Sequence, residues 1–269
     1  MNRYNPPETF ETDIRHQLEQ VLESTEDTGL EIVEIALNEL PDRWYGRFLG
    51  GVVNSIRDSV DRGQVLPAAV SIELLRGYCY IRWQQLFRRD ASSVFPNIRD
   101  PSVPLLMGDY LHSAAYSQLD PGDRHDTDVP YAVFIRATKR MTERFYSTIT
   151  DTRSPEMQFK ALLDISGGVL GQSAADLGAR LAQQDVESRH SIRAFGRVTG
   201  AYHAWETVLE TGSKEVITYA PGITDEFLEQ FATEKRQRLE ETVKDLPATV
   251  SISTLRKFAD IEDDIIEQC

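Results

Sequence analysis

Apolar positions recur every three to four residues along most of the chain, and strictly alternating β-branched runs are few, so the pattern is helical. A first helix is expected to start near Thr12, with Ile14, Leu18, Val21 and Leu22 on one face. Ile32, Ile35, Ala36 and Leu40 stripe a second, which stops at Pro41, whose ring cannot continue a helix. A third spans about Trp44 to Asp61, and the longest runs from about Pro67 to Arg89 through AAVSIELLRGYCYIRWQQLF. The acidic, Pro/Ser/Asn-containing stretch from Asp90 to Val103 reads as a loop. PLLMGDYLHSAAYSQL then opens a helix at Pro104, where a first-turn proline is favourable.

DPGDRHDTD (120–128) is a second exposed loop, and further helices are expected over about 130–150, 155–166, 169–183, 189–210, 224–244 and 251–267. EVITYA (215–220) is the one strand-like piece, too short and isolated to build a sheet. No repeat, low-complexity tract or Gly/Ser/Pro-rich linker divides the chain. The expectation is an all-α large helix bundle forming a single domain over 1–269.

Charge narrows the partners. The net charge is −14, which disfavours nucleic acid and anionic membrane surfaces. The basic residues are 23 Arg and 6 Lys beside 43 acids, a balance expected of a protein from very salty cytoplasm. At about 1 M salt the Debye length is roughly 3 Å, so the acidic surface would be screened there and not in dilute buffer. Cys79 and Cys269 make neither a disulfide framework nor a zinc site. The N-terminus MNRYNPPETF has no apolar signal region, and no stretch approaches the 18 or so apolar residues of a membrane span. A soluble, cytoplasmic protein is expected.

Three segments, in order, resemble the trans-isoprenyl diphosphate synthase (polyprenyl synthetase) family. LPAAVSIELLRGYCYI (66–81) is similar to the helix that ends in the family's first aspartate-rich motif. PLLMGDYLHSAAYSQL (104–119) resembles its GDYL helix. SGGVLGQSAADLGARLA (166–182) and AFGRVTGAYHAWETVLETG (194–212) are similar to its Lys-Thr-Gly helix and the helix bearing its second aspartate-rich motif. FLEQFATEKRQRLEETVKDLP and TLRKFADIEDDII fit the closing helices, so the resemblance covers most of the chain from about residue 60, with 1–60 divergent. It implies the isoprenoid-synthase fold and, in the family, the joining of an allylic diphosphate to isopentenyl diphosphate. Magnesium ions held between two Asp-Asp-x-x-Asp motifs neutralise the leaving diphosphate, because hard oxygen ligands suit that ion.

The motif positions are changed here. Trp83-Gln84-Gln85-Leu86-Phe87 stands at the first motif, with no carboxylate. Trp83 and Phe87 share a helix face, either as plain core packing or as rings filling the family's metal side of the cavity. At the second motif, allowing a one-residue deletion before it, stands Glu206-Thr207-Val208-Leu209-Glu210. Glu206 and Glu210 could hold one metal ion, or they are a solvated acidic edge. His203 takes a position usually Gln in the family, as a ligand contact or as a core histidine. Ser166 replaces the family lysine. Arg47, within YGRFLGG, echoes the family's N-terminal basic pair, and Arg88 and Arg89 echo its paired arginines but lie too close to the first motif. DIEDD (260–264) lies past the cavity-lining helices and reads as a solvated end.

These departures imply a degenerate homologue, a non-catalytic subunit or regulator paired with a prenyl synthase as a homo- or heterodimer. The alternatives are an altered enzyme using Glu206 and Glu210, and a binding protein for an isoprenoid or other lipid. No cofactor is expected; magnesium enters only if catalysis is retained. One physical consequence is independent of function. Dialysed below about 0.2 M salt, the protein should lose helical circular dichroism or aggregate. Unfolding midpoints unchanged between about 0.1 M and about 3 M salt would show the acidic excess to be incidental.

Overall fold

The computed structural model describes residues 8–23, 32–38, 40, 42–57, 60–87, 100, 102–119, 128–150, 154–210 and 223–259. Among them are α-helices and no strand: α1 (Glu8–Glu23), α2 (Ile32–Asn38), α3 (Trp44–Ile56), α4 (Arg62–Phe87), α5 (Ser102–Gln118) and α6 (Asp128–Thr150). α7 (Pro155–Leu163) passes through a π-helical turn (Asp164–Gly168) into α8 (Val169–Leu181), followed by α9 (Val186–Glu210). α10 (Asp225–Lys244) and a short α11 (Ile252–Leu255), continued by a 3-10 turn (Arg256–Phe258), complete it. EVITYA and DIEDD lie outside the described residues.

Several boundaries move for local reasons. α1 begins earlier than expected because Phe10 is already buried on the Ile14–Leu18 stripe. α3 stops at Ile56, not Asp61: Arg57 is extended (φ −141°, ψ 128°) while its N–H still bonds the Val53 carbonyl. α4 starts five residues before Pro67, because the Asp61 carboxylate accepts the Gly63 N–H at 3.0 Å and caps the helix. At the C-terminal end the described part of the expected helix over 251–267 is only α11 and its 3-10 turn.

α4 buries apolar residues on every side, as a central helix does, and carries Glu73 and Arg76 among them. Ala69, Val70, Ile72, Leu74, Leu75, Cys79 and Ile81 are buried in one continuous cluster that runs from Phe10 to Ala259. α5 packs along α4 through Met107, Leu111 and Ala115. On the other side α8 lies between α3 and α9, and a small satellite of Phe159, Leu163 and Phe231 joins α7 to α10.

The α8–α9 contact is the tightest in the molecule's frame. Gly167 and Gly171 face Gly196 and Gly200, each pair four residues apart and so on one helix face. A Cβ on Gly171 would sit 2.2 Å from the Gly196 carbonyl oxygen, and one on Gly200 would sit 2.4 Å from that of Gly167. The opposing atoms are backbone and cannot swing away. Gly200→Ala should therefore destabilise the fold by about 3 kcal/mol, the upper range for overpacking. Gly63→Ala, on an exposed first turn, should lie between no change and a gain of about 1 kcal/mol. Denaturant midpoints at one fixed high salt concentration check the pair, and equal values for both variants would refute the backbone seam.

Candidate functional site

The region between α3, α4 and α9 is where the sequence resemblance places a reaction cavity, and its charges are buried. The chain enters α3 at Arg43, which is left-handed (φ 46°) and 4% exposed. Its guanidinium donates to the Leu37 carbonyl at 2.8 Å and the Leu40 carbonyl at 2.6 Å, tying the end of α2 to the start of α3. Three residues on, Gly46 lets α3 touch α4: a Cβ there would stand 3.0 Å from the Ala69 carbonyl oxygen. The exposed amide is used, since Gly46 N–H donates to Glu73 Oε1 at 2.7 Å.

Glu73 and Arg76 lie one turn apart on α4, both inside the core. Arg76 Nη1 is 3.5 Å from Glu73 Oε2 and donates to Asp42 Oδ1 in a short contact. The other Asp42 oxygen, Oδ2, lies 2.9 Å from His203 Nε2 on α9. His203 stacks on Trp44 (centroids 4.3 Å apart, planes 6° apart), and Arg76 lies over the Tyr45 ring at 5.1 Å. The Tyr45 hydroxyl reaches the carbonyls of Ser166 and Gly200 at 3.5 and 3.4 Å, long contacts on the α8–α9 seam. One cluster thus pins three helices.

Its electrostatics follow from burial and pairing. Burial works against the charge of Asp42, but the His203 hydrogen bond and the Arg76 guanidinium hold its carboxyl well below the usual carboxylate range. Burial pushes Glu73 up, against the pull of Arg76 and the Gly46 amide. Burial alone would lower Arg76, yet Glu73 and Asp42 raise it further, so it stays a cation. Burial pushes the Tyr45 phenol up and the Cys79 thiol up to about 12, so neither is a nucleophile near neutrality.

The residues singled out in the sequence fall in different places. His203 is in the cluster. Arg47 is adjacent, but its guanidinium contacts the Asp42 carbonyl at 3.3 Å and Glu11 of α1 at 3.3 Å. Trp83 is half-buried against the core near the end of α4, beside buried Gln84. Glu206 is half-buried on α9, three residues beyond His203. The side chains of Phe87 and Glu210, and all of Arg88 and Arg89, lie outside the described residues. The GDYL residues are structural: Asp109 pairs with Arg82, Tyr110 donates to the Val21 carbonyl at 3.0 Å, and Leu111 is core. Asp42, Glu73 and Arg76 were missed, although two charges three apart inside the apolar run SIELLRGYCYI are a signal of a buried pair.

The donor set here is poor in the hard oxygen anions that magnesium needs. Residues 83–85 offer an indole and two carboxamides, and Glu206 is the one acidic side chain described on the last two turns of α9. Among the described residues no group of three or more potential metal ligands occurs. These residues do not fit an ion cluster that bridges a diphosphate from both helices, which needs several hard oxygen anions.

No protein-family model matches the chain, and no curated relative matches it. Solved structures do. A geranyltranstransferase from Methanosarcina mazei superimposes with TM-score 0.67 at 17% identity, covering 96% of this chain and 97% of that one. A geranylgeranyl pyrophosphate synthetase from the archaeon Geoglobus acetivorans gives 0.70 at 17%, covering 96% and 98%. The geranyl diphosphate synthase small subunit from Antirrhinum majus gives 0.62 at 17%, covering 94% and 96%. The all-α isoprenoid-synthase fold is therefore that of this chain.

The buried cluster makes a pH prediction. Asp42→Asn should cost about 2 kcal/mol near neutrality, below the usual range for breaking a buried pair because the carboxyl is 33% exposed. The folded pKa of Asp42 is depressed, so its contribution is complete above the unfolded value of 3.8 and is lost as pH falls further. The stability gap between wild type and variant should narrow below pH 3.8. A gap constant from about pH 6 to about pH 3 would show that the Asp42 ion pair contributes nothing.

Proposed function

We propose that this chain is a divergent polyprenyl-synthetase homologue acting as a non-catalytic subunit or regulator of isoprenoid diphosphate synthesis. One observation carries the reading: the buried charges between α3, α4 and α9 are paired with one another. Arg76 faces Asp42 and Glu73, and His203 faces Asp42. A diphosphate entering there would have to break those pairs, leaving buried carboxylates uncompensated at a cost of several kcal/mol. The end of α4 offers Trp83, Gln84 and Gln85 where the resembling family supplies carboxylates. Losing the electrostatic stabilisation of the departing group lowers a rate by orders of magnitude, since one such contact is worth about 3 kcal/mol.

The partner half of the reading has its own support. On the outer side of α5 and α6, Ile135 and Tyr146 are 58% and 69% exposed and border an apolar groove of about 580 Å³ with His112 and Tyr116. Such a strip suits a subunit contact. A neighbour in fold, from Antirrhinum majus, is itself called a small subunit of geranyl diphosphate synthase. The acid-rich, lysine-poor composition supports a high-salt cytoplasmic setting. No helix among the described residues is long and apolar enough to cross a membrane.

The test has two arms, both in high potassium chloride. Alone, with magnesium, isopentenyl diphosphate and labelled allylic diphosphates, the protein should make no detectable product. Mixed with an active prenyl diphosphate synthase from the same cells, it should co-purify and change the chain length made, and Ile135→Glu with Tyr146→Glu should abolish both effects. A labelled C15 or C20 product from the protein alone, lost in Glu206→Gln, would replace this reading by that of an altered enzyme.

A further inference from the structure

We infer that the groove between α9 and α10 is a second site that binds a diphosphate group. It is not the region between α3, α4 and α9. Arg197 and Glu206 are nine residues apart on α9, about two and a half turns at 3.6 residues per turn, and therefore point to opposite sides of that helix. The groove holds about 740 Å³. Its floor is Ala194, Val198 and Ala201, and its walls are the basic residues of α9 and α10.

The charge balance there is inverted relative to the whole chain. Asp176, 3% exposed, holds three guanidiniums: Arg136 at 3.0 Å, Arg180 at 2.9 Å and Arg193 at 3.9 Å. Asp164 takes a two-pronged contact from Arg197 (2.8 and 2.7 Å) and lies 3.9 Å from Arg144. Two carboxylates thus serve five cations. Beyond these, Arg140, Lys235 and Arg238 have no carboxylate partner among the described residues; Arg140 donates only to the Gln172 amide oxygen, at 2.5 Å. Glu234 is engaged by Lys160 at 2.9 Å, and Glu241 is the remaining acid on the rim.

The surplus is felt by the groups themselves. Burial and the proximity of Arg197, Arg193 and Arg136 push Arg140 down. Burial pushes Lys235 down as well, Asp164 resists, and Arg197 and Arg238 add to the fall. In a protein with 43 acids and 29 basic residues, Lys235 and Arg238 of α10 line this concavity beside Arg193 and Arg197 of α9, and Arg140 of α6 stands next to it on Gln172. Guanidiniums match phosphate oxygens with two parallel hydrogen bonds, and cations on two facing helices suit a doubly phosphorylated group better than a single one. A long polyanion is disfavoured by the −14 field outside the groove, whereas a small anion meets only the local charge. The apolar floor leaves room for an ester chain.

Calorimetric titration of the full chain, at the lowest potassium chloride that keeps it folded, tests this with inorganic diphosphate, orthophosphate, sulfate and geranyl diphosphate. Inorganic diphosphate should bind once per chain and about tenfold tighter than orthophosphate or sulfate. Lys235→Gln and Arg238→Gln remove no ion pair among the described residues, so they should fold, and each should weaken binding about tenfold. Arg57→Gln, exposed and remote, should leave binding unchanged, and Glu241→Gln should tighten it. Geranyl diphosphate equal to inorganic diphosphate would assign a free anion, and a tighter value would assign the ester; both support diphosphate recognition. Equal affinity for all the anions, wild-type binding in folded Lys235 and Arg238 variants, or displacement by an acidic peptide alone would overturn it. The readout is binding without turnover, so it stands or falls apart from the question of catalysis.

Discussion

The contact between α8 and α9 is made by backbone against backbone, and the orientation of both functional faces follows from it. With Gly167 and Gly171 against Gly196 and Gly200, neither helix can rotate about its axis without driving a side chain into a carbonyl. That fixes α9 in rotation. His203 is then aimed at Asp42 and Trp44, and Arg197, on another face of the same helix, is aimed at Asp164. The π turn at Asp164–Gly168 belongs to the same seam. Its extra residue lets the Asp164 carboxylate face Arg197 while the Ser166 carbonyl stays within reach of the Tyr45 hydroxyl.

The second constraint is a set of charges inside the core. Glu73 is fully buried, and its tolerance depends on two compensations, the Gly46 amide and Arg76, while Asp42 shares Arg76 and works against the Glu73 charge. Such a network is worth little as a source of stability compared with apolar replacements, but removal of any one member leaves an unpaired charge. It therefore specifies how α3 sits on α4 and α9 more than it strengthens the fold. A neutralised knot of this kind is also a poor receptor for a phosphate, which wants cations that no carboxylate has already claimed.

The helical architecture was legible because its signals are local. The 3.6-residue stripes of α1, α6 and α8, and the unbroken apolar run of α4, need no partner to be read. Boundaries were less legible where a single side chain decides them, as with the Asp61 cap and the extended Arg57. His203 could be singled out by position, but its partner could not. Asp42 lies 161 residues away in sequence, and the pair exists only because α3 and α9 both pack on α8. Arg47 shows the converse: a basic residue in a suggestive segment whose guanidinium turns to Glu11 on α1, a helix with no resemblance to guide the reading. The cations beside the α9–α10 groove could be counted in the sequence as Arg136, Arg140 and Arg144, and two of those lining it as Arg193 and Arg197, each four apart. Their convergence with Lys235 and Arg238 is tertiary.

At high salt, an acidic surface of this kind separates two kinds of electrostatics. With a screening length of roughly 3 Å at about 1 M, the diffuse repulsion among 43 acids is removed, while pairs in van der Waals contact and out of bulk water keep their attraction. Arg76 with Asp42 and Arg180 with Asp176 come nearest the second kind, whereas Arg136 on Asp176 and Arg197 forked onto Asp164 are about half exposed and rely on their direct contact. A forked contact needs a planar guanidinium, which gives one physical reason for a chain with so few lysines to place arginine at these positions. The same reasoning bears on the groove. Under strong screening, long-range steering contributes nothing, so a ligand can be held there only by direct hydrogen bonds from cations that have no nearer partner. Among the described residues Lys235 and Arg238 have no carboxylate partner and meet that condition, and Arg76, between two carboxylates, does not.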